Sequence, residues 1–334
     1  MDTKASEVTA RPQGSLVAHF RAHPQDHVAA KGPLVSRVNV TPKSDEVERL
    51  EWAGGAEGPW QPVFSSQSDA FFMVGYGATR RVETREHVDP GARQQSSLGR
   101  AQRVRSLFEE SFSLIPLSLW LPGLESSNPG RFKQVKNLVN ALLAPTGYGF
   151  PGLQELGEYV FSRGGMNIPF PALSDGYRAY LGWIGDLLYH VIQTCPSGKR
   201  LVENRGIVMV DEVDLHLHPR WQMTVLPVLA KALPKLQFIV TSHSPLVVGS
   251  LEWMNILHMT AGNRNTSRAE RIESPVHGLD ADQILLMDFF GLETTRAPSK
   301  ARRLKELTLQ AREGDTEAAK RLVIAMSGGS EAES

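Results

Sequence analysis

The chain has few of the features that mark secreted, membrane or cysteine-ligated metal proteins. Its 334 residues include one cysteine, Cys195, which excludes an internal disulfide bond and a cysteine-rich metal site and is typical of a reducing cytoplasm. Lys+Arg and Asp+Glu both number 36, so no overall attraction to nucleic acid or to a membrane surface is expected. No apolar run approaches the ~20 residues of a membrane span, and the N-terminus has no hydrophobic signal core. We therefore expect a cytoplasmic protein.

One stretch of the sequence predicts a βαβ unit. Ile207 to Val210 is an unbroken apolar run rich in β-branched residues, which is typical of a strand buried on both faces of a parallel sheet. The run from Trp221 to Leu233 has the pattern of a helix, with a kink expected at Pro227. Leu236 to Val240 predicts a second apolar strand. Two parallel strands joined by a helix place their carboxyl ends side by side.

Polar side chains follow both predicted strands. Asp211 and Glu212 come directly after the first strand, and Thr241-Ser242-His243-Ser244 follows the second. In open α/β sheets, ligands bind at the carboxyl ends of the strands. A carboxylate pair beside a histidine there suits a bound Mg²⁺, an activated water molecule and a phosphoryl group. The alternative is that the two carboxylates only cap the following helix.

Three segments, in this order along the chain, resemble the motifs of one family. Leu173-Ser-Asp-Gly-Tyr-Arg178 resembles a signature motif, Val208-Met-Val-Asp-Glu-Val-Asp-Leu-His-Leu-His-Pro219 a Walker B segment, and Thr241-Ser-His-Ser-Pro245 a switch-histidine loop. The chain is therefore similar to the bacterial ABC-type AAA-family ATPases. That group is related to the overcoming-lysogenization-defect nucleases and to the heads of chromosome-maintenance proteins. The resemblance covers a minor part of the chain, and its specificity comes from the ordered set.

The resemblance implies that ATP and Mg²⁺ are the cofactors, and it assigns roles to the residues at the strand ends. Asp211 would hold Mg²⁺ through water, and Glu212 would be the base that orients the attacking water. His243 would contact the γ-phosphate and sense hydrolysis. Ser242, in the same loop, would contact the nucleotide.

The signature motif would act on a nucleotide held by a second subunit, because ABC-type heads sandwich ATP between two protomers. Ser174, the amide of Gly176 and Arg178 would bind that nucleotide. The residues themselves agree with this role, since Ser174 stands at the N-cap position of a helix predicted from Tyr177 to Ile192, and helix N-termini with glycine amides bind anions. The resemblance thus implies a homodimer or a hetero-complex formed through the signature motif, with a nuclease or another effector as a further candidate partner.

The sequence departs from the family because it has no P-loop, Gly-x-x-x-x-Gly-Lys-Ser/Thr, whose backbone amides and lysine hold the phosphates. The only Gly-Lys dipeptide is Gly198-Lys199, and Gln193 stands where the motif needs its first glycine. In the family this loop precedes the three segments matched here, so the chain resembles the rear portion of such an ATPase. A catalytically silent binding or regulatory protein, or a truncated fragment, is the alternative to an active ATPase.

Composition and periodicity, together with the resemblance, divide the chain into five predicted regions. They are a disordered tail over 1–34, an antiparallel strand region over 35–99, a helical lid over 100–165, an ATPase core with the three motifs over 166–298, and helices with a frayed tail over 299–334. Within Gly75-Tyr-Gly-Ala-Thr-Arg-Arg81, which resembles a segment of the same family, Arg80 and Arg81 can reach a phosphate. The alternative is that both arginines are solvated at a strand exit.

Together these features predict an α/β fold, an ABC-type head of the P-loop NTPase-like class with a parallel core sheet, an antiparallel patch and a helical insertion. The function implied by the resemblance is ATP binding and hydrolysis by a head that works as a dimer, in bacterial antiphage defence or DNA transactions. DNA is accordingly a candidate partner, and no contact with a membrane is expected.

Overall fold

The computed structural model describes residues 14–23, 33–41, 49–52, 60, 63, 72–82, 99–155, 157–262 and 267–326. Within these residues the chain forms two compact units. The first comprises Met1–Trp221 and Pro227–Ser242, and the second comprises Gln222–Leu226 and His243–Ser334.

Short strands and helices follow one another along both units. The strands are β1 (Gly14–Phe20), β2 (Leu34–Thr41), β3 (Arg49–Trp52), β4 (Met73–Tyr76), β5 (Arg81–Val82), β6 (Ser113–Leu114), β7 (Gln154–Glu155), β8 (Glu158–Arg163), β9 (Met166–Pro169), β10 (Gly206–Val210), β11 (Leu236–Val240), β12 (Leu257–Ala261) and β13 (Ser267–Arg271). The helices are α1 (Gly99–Gln102), α2 (Leu117–Ser127), α3 (Pro129–Leu143), α4 (Asp175–Thr194), α5 (Pro219–Gln222), α6 (Val225–Ala232), α7 (Pro245–Gly249), α8 (Ala281–Leu285), α9 (Pro298–Arg312) and α10 (Thr316–Met326).

A three-stranded parallel sheet in the order β11-β10-β4 lies in the first unit. Val210, the last residue of β10, is in register with Val240 of β11 and with Tyr76 of β4, so the three strands end at the same edge. The predicted α/β class with a parallel core sheet is confirmed. The prediction of an antiparallel region over 35–99 is wrong for β4, because a short apolar strand carries no local sign of the direction of its partner.

Helix α4 is the longest helix of the described residues and packs beside this sheet. It begins and ends within two residues of the predicted helix, and its apolar stripe from Leu181 to Val191 is buried. The ring of Trp183 on this helix lies 5.6 Å from the ring of Tyr76 at the end of β4. The helix that carries the signature segment is therefore packed directly on a strand of the parallel sheet.

The connection between β10 and β11 differs in one detail from the prediction. The expected single helix is two helices, α5 and α6, separated by a turn at Met223 and Thr224 rather than kinked at Pro227. Pro227 is the third residue of α6, where a proline is tolerated because the first amides of a helix have no partner within the helix.

The region predicted as a helical lid over 100–165 is only partly helical. Helices α2 and α3 occupy its middle, but β8 and β9 form an antiparallel hairpin in which Arg163 pairs with Met166. The predicted boundary at residue 165 therefore falls inside the hairpin turn. Gly164 and Gly165 form this turn with φ of 58° and 82°, backbone angles that two-residue hairpin turns of this kind require.

The predicted disordered tail over 1–34 is wrong for the residues of β1. This strand pairs antiparallel with β2, from Gly14 opposite Val40 to Phe20 opposite Leu34. The ring of Phe20 packs edge-to-face on Trp60 at 5.4 Å, beside the buried side chain of Leu34. This packing joins residues that are distant in sequence, so local periodicity could not reveal it.

The second unit contains the β12–β13 hairpin, the short helices α7 and α8, and the packed pair α9 and α10. Both of these last helices lie where the sequence predicts helices, after about residue 299. Asp280 and Gln283 form a capping box that opens α8, which ends at Leu285. Across the described residues of both units, every helix is too short or too polar to cross a membrane.

Candidate active site

The carboxyl ends of the three parallel strands form the candidate site. Asp211 follows β10, and its backbone amide donates a 2.8 Å hydrogen bond to the carbonyl of Tyr76, the last residue of β4. Thr241 follows β11, and its hydroxyl donates to Oδ1 of Asp211 at 2.5 Å. Asp211 is therefore held by the ends of both neighbouring strands, through its backbone amide on one side and its carboxylate on the other.

Glu212 has an unusual backbone conformation, with φ of 47°. Its amide donates to the hydroxyl of Thr241 at 2.8 Å, and its carbonyl accepts a 2.6 Å hydrogen bond from Nη2 of Arg80. The same carbonyl accepts a bond from the amide of Leu215 at 3.0 Å, which begins a tight turn. Both peptide groups that flank Glu212 are thus fixed by hydrogen bonds.

Arg80 lies among the carboxylates of the site. Burial lowers the pKa of its guanidinium, and the charges of Asp214, Asp211 and Glu212 oppose this shift. One carboxylate oxygen of Asp214, Oδ1, is buried without a hydrogen bond to any described atom. The alternative of an arginine solvated at a strand exit is therefore wrong for Arg80, and its contact with a phosphate stays a prediction. The side chain of Arg81 lies outside the described residues.

The signature segment lies at the N-terminus of α4. Ser174 is the N-cap residue as predicted, but its exposed hydroxyl makes no capping hydrogen bond to the helix. Arg178 forms an ion pair with Asp175 on the protein surface. At the start of this 20-residue helix, Ser174, Asp175 and Arg178 are thus exposed, and the Ser174 hydroxyl makes no cap bond.

Gly176, in the same turn, lies close to the turn that follows Glu212. A β-carbon at position 176 would lie 2.4 Å from the carbonyl oxygen of His216, in the turn that follows Glu212. The neighbouring Tyr177 packs its ring on Trp221 with 3.9 Å between ring centroids. The structure therefore places the start of α4 directly against the turn that begins with Asp211 and Glu212.

The switch-histidine segment is divided between the two units. Ser242 is the last residue of the first unit. His243 is exposed and begins the range His243–Ser334 of the second unit. Ser244 is buried, caps α7 by accepting from the amides of Leu246 and Val247, and donates to Oε1 of Gln222 at 2.7 Å. The predicted roles of Ser242 and His243 in nucleotide binding and hydrolysis stay predictions.

Thr241 is the site residue that the sequence analysis did not single out. It stands in the matched segment, yet only its two successors were assigned to the nucleotide. A signal was available, because a hydroxyl directly after a strand that is parallel to β10 must lie near the first residue after β10.

The donors at the strand ends fit Mg²⁺ rather than a softer metal. Asp211, Glu212 and Thr241 offer only oxygen atoms, which Mg²⁺ prefers, and this ion is usually held by one or two carboxylates together with water and phosphate oxygens. No group of three or more His, Cys, Asp or Glu among the described residues could hold a metal alone. Asp211 would thus hold a metal that also binds a phosphate.

A family model matches the part of the chain that contains the candidate site. Residues 66–249, more than half of the chain, match the family described as "AAA domain, putative AbiEii toxin, Type IV TA system". This range includes the signature segment, the Asp211–Glu212 pair and His243.

Curated relatives match different shares of this chain. Over 107 residues the chain is 33% identical to "Retron Ec83 probable ATPase" of Escherichia coli. The alignment covers 32% of this chain and 20% of that protein. Over 230 residues it is 26% identical to "Septu protein PtuA" of Bacillus mycoides (strain KBAB4). This alignment covers 69% of this chain and 30% of that protein. The matched parts therefore span less than a third of the length of either relative.

Among solved structures, "SMC head domain from Thermotoga maritima" aligns with a TM-score of 0.40 and 13% sequence identity, over 78% of this chain and 75% of that chain. A similarity at this level supports no argument about function.

Proposed function

Because the chain belongs to this family of AAA domains, we propose that it supplies the hydrolytic residues of an ABC-type ATPase. ATP is the substrate in this proposal. Asp211 holds Mg²⁺ through water, and Glu212 is the base that orients the attacking water. The single observation that carries the proposal is the pinned Asp211–Glu212 pair at the ends of parallel strands.

In phosphoryl transfer these residues act by positioning and by charge, without forming a covalent bond to the substrate. Bound Mg²⁺ neutralises charge on the phosphates of ATP, and phosphoryl transfer then depends mainly on positioning and electrostatics. Asp211 would accept a hydrogen bond from metal-bound water, and Glu212 would accept a hydrogen bond from the attacking water. Ser242 and His243, next along the chain from Thr241, contact the γ-phosphate in this proposal.

The signature segment completes the site of a second subunit. Ser174, the amide of Gly176 and Arg178 bind the nucleotide presented by a second copy or by a related partner. The start of α4, where Ser174, Asp175 and Arg178 are exposed, supports this part, because amides at a helix N-terminus and the helix dipole both favour an anion. The Ser174 hydroxyl, which makes no cap bond, is available to the same anion.

The names of the curated relatives suggest the biological setting. One is a retron ATPase and one is a Septu protein, and we place this chain in a bacterial antiphage system of that general kind. A nuclease or another effector is the partner expected in such a system, and DNA is a further candidate ligand.

A catalytically silent binding or regulatory protein is the second candidate. The observation that favours it is the absence of Gly-x-x-x-x-Gly-Lys-Ser/Thr from the sequence, because this loop supplies most of the phosphate contacts in the family. Such a protein would keep the fold and would neither bind nor hydrolyse ATP.

Phosphate release from Mg-ATP separates the two candidates. The full chain is assayed alone and together with a P-loop polypeptide, meaning the strand and Gly-x-x-x-x-Gly-Lys-Ser/Thr loop of a family member. We expect release by the mixture, and loss of it in Glu212→Gln by about 10²–10⁴-fold. Glu125→Gln, at an exposed position of α2, is the matched control and should not change the rate. Equal rates for Glu212→Gln and the unchanged chain would exclude the base role of Glu212.

A further inference from the structure

The backbone of Glu212 is held in a conformation that it would not adopt alone. Its φ of 47° lies in the left-handed region, which residues with a side chain rarely occupy. Such conformations persist only where the surroundings hold them, and they cluster at functional sites. The question is which atoms hold Glu212 there.

Two side chains from the neighbouring strands bind the two sides of this residue. On the amide side, the hydroxyl of Thr241 at the end of β11 accepts the Glu212 N–H at 2.8 Å. On the carbonyl side, Nη2 of Arg80, which lies in the loop after β4, donates to the Glu212 oxygen at 2.6 Å. The contacts come from opposite sides of β10, because β10 lies between β11 and β4.

The Thr241 hydroxyl donates one hydrogen bond and accepts another. A hydroxyl has one proton to donate and lone pairs that accept. Here the proton goes to Oδ1 of Asp211, and a lone pair accepts from the amide of Glu212. One oxygen atom therefore sets the Asp211 carboxylate and the Glu212 backbone relative to each other. The Thr241 carbonyl adds a third contact, since it accepts the amide of Val213 at 3.0 Å.

Arg80 is suited to its contact with the Glu212 carbonyl because its guanidinium is a charged donor. Its guanidinium stays charged and lies among Asp211, Glu212 and Asp214, whose charges favour the cation. A charged donor makes a stronger hydrogen bond to the Glu212 carbonyl than a neutral donor would.

We propose that Arg80 and Thr241 are positioning residues that hold Glu212 in its left-handed backbone conformation and so fix the relative placement of the Asp211 and Glu212 carboxylates. The catalytic consequence rests on the proposed ATPase function. The structural consequence, the sign of φ at residue 212, does not depend on it.

Crystal structures of full-length variants test the structural part. Thr241→Val keeps the shape of the side chain and removes the hydroxyl, and we expect residue 212 to relax to negative φ in this variant. Thr241→Ser keeps the hydroxyl and should retain the positive φ. Thr260→Val, which changes a threonine of β12, is the matched control and should leave residue 212 unchanged. A positive φ at residue 212 in Thr241→Val would overturn the proposal.

Kinetics test the consequence for hydrolysis. Under the conditions in which the unchanged chain releases phosphate, Thr241→Val should lower kcat by about 10–100-fold, as is typical when residues behind the reacting groups are changed. KM for ATP should stay the same, because the contacts that bind the nucleotide are kept, and Thr241→Ser should restore kcat. An equal loss in the serine and valine variants would contradict the role of the hydroxyl.

The two parts keep failure of the proposed function separate from failure of this inference. If the unchanged chain never releases phosphate, the ATPase proposal fails, and the crystal structures still decide whether Thr241 holds Glu212. If Thr241→Val does not fold, as judged by circular dichroism, Arg80→Ala takes its place with the same criterion. Positive φ at residue 212 without the arginine would then overturn the proposal.

Discussion

The phenol of Tyr76 donates a 2.9 Å hydrogen bond to the buried carboxylate of Asp186. Tyr76 ends β4, and its carbonyl accepts the amide of Asp211. Asp186 lies within α4 and also accepts the amide of Ile115 at 2.8 Å, with Nε2 of His190 at 3.3 Å. The helix that begins with the signature segment is thereby tied, through one buried carboxylate, to the strand end that supports the candidate site.

The charge state of this carboxylate follows from its partners. Burial alone would raise the pKa of Asp186, but the charge of His190 and hydrogen bonds from His190, Ile115 and Tyr76 lower it below the ordinary 3.8. Burial and the nearby charge of Asp186 raise the pKa of the Tyr76 phenol well above its ordinary value. The native pair is therefore a neutral phenol and a carboxylate anion.

We predict that Asp186→Asn lowers the free energy of unfolding by about 1–3 kcal/mol near pH 7, because a charged acceptor is removed from buried donors. A folded-state pKa below 3.8 means that the stabilisation by Asp186 is fully present above about pH 4 and is lost as the pH falls through the folded pKa. The difference between the two chains should therefore shrink in acid. Urea unfolding of the two chains near pH 7, and again in acid below about pH 4, measures this difference in the free energy of unfolding. Asp288→Asn, at an exposed position, is the control and should stay within about 0.5 kcal/mol. A constant difference at both pH values would contradict the assignment of the charge.

The different surroundings of Gly176 and Gly123 predict opposite changes in the free energy of unfolding when each is replaced by alanine. Gly176→Ala should destabilise the chain by about 1–3 kcal/mol, because its new methyl group would lie 2.4 Å from a backbone oxygen. Gly123→Ala should stabilise it by about 0.5–1 kcal/mol, because this glycine lies inside α2 with no atom within 4 Å of the new carbon. Thermal and urea unfolding of both variants give the comparison. The same sign for both would show that the close approach at 176 relaxes without cost.

The chain alone should bind Mg-ATP weakly or not at all. The sequence has no P-loop, so the backbone amides and the lysine that hold the phosphates in the family are not supplied by that motif. Isothermal titration calorimetry of the chain with Mg-ATP measures this directly. Tight binding would show that another element, such as the segment from Gly75 to Arg81, takes the place of the loop. Arg80→Ala would then reduce the affinity.

The two halves of the proposed site should give different phenotypes once a P-loop polypeptide is present. Glu212→Gln should accumulate an ATP-bound dimer, because the nucleotide is bound but hydrolysis is slowed by about 10²–10⁴-fold. Ser174→Arg should prevent the dimer from closing, because a long cation would fill the space of the phosphate. Size-exclusion chromatography with ATP, together with a phosphate-release assay, distinguishes them. A monomer in the presence of ATP for Glu212→Gln would contradict the dimeric mechanism.

Much of the framework was readable from the sequence. The apolar runs of β10 and β11 and the helical pattern over Tyr177 to Ile192 are local, and these elements form within two residues of their predicted bounds. Asp211, Glu212 and Ser174 could be chosen for the same reason, because the end of a strand and the N-cap of a helix are positions along the chain. Periodicity and end signals depend on neighbours in sequence, and these the sequence shows directly.

Tertiary structure alone decided how the parts meet. It made β4 a parallel neighbour of β10 and paired β1 with β2, and it brought Arg80 to the carbonyl of Glu212 across 132 positions of sequence. The left-handed backbone of Glu212 and the approach of Gly176 to His216 have the same origin. Such contacts depend on which elements pack together and in which register, and no residue carries that information in its own neighbourhood. The sequence by itself thus singled out the two carboxylates that follow β10, whereas packing decided which residues hold Asp211 and Glu212 in place.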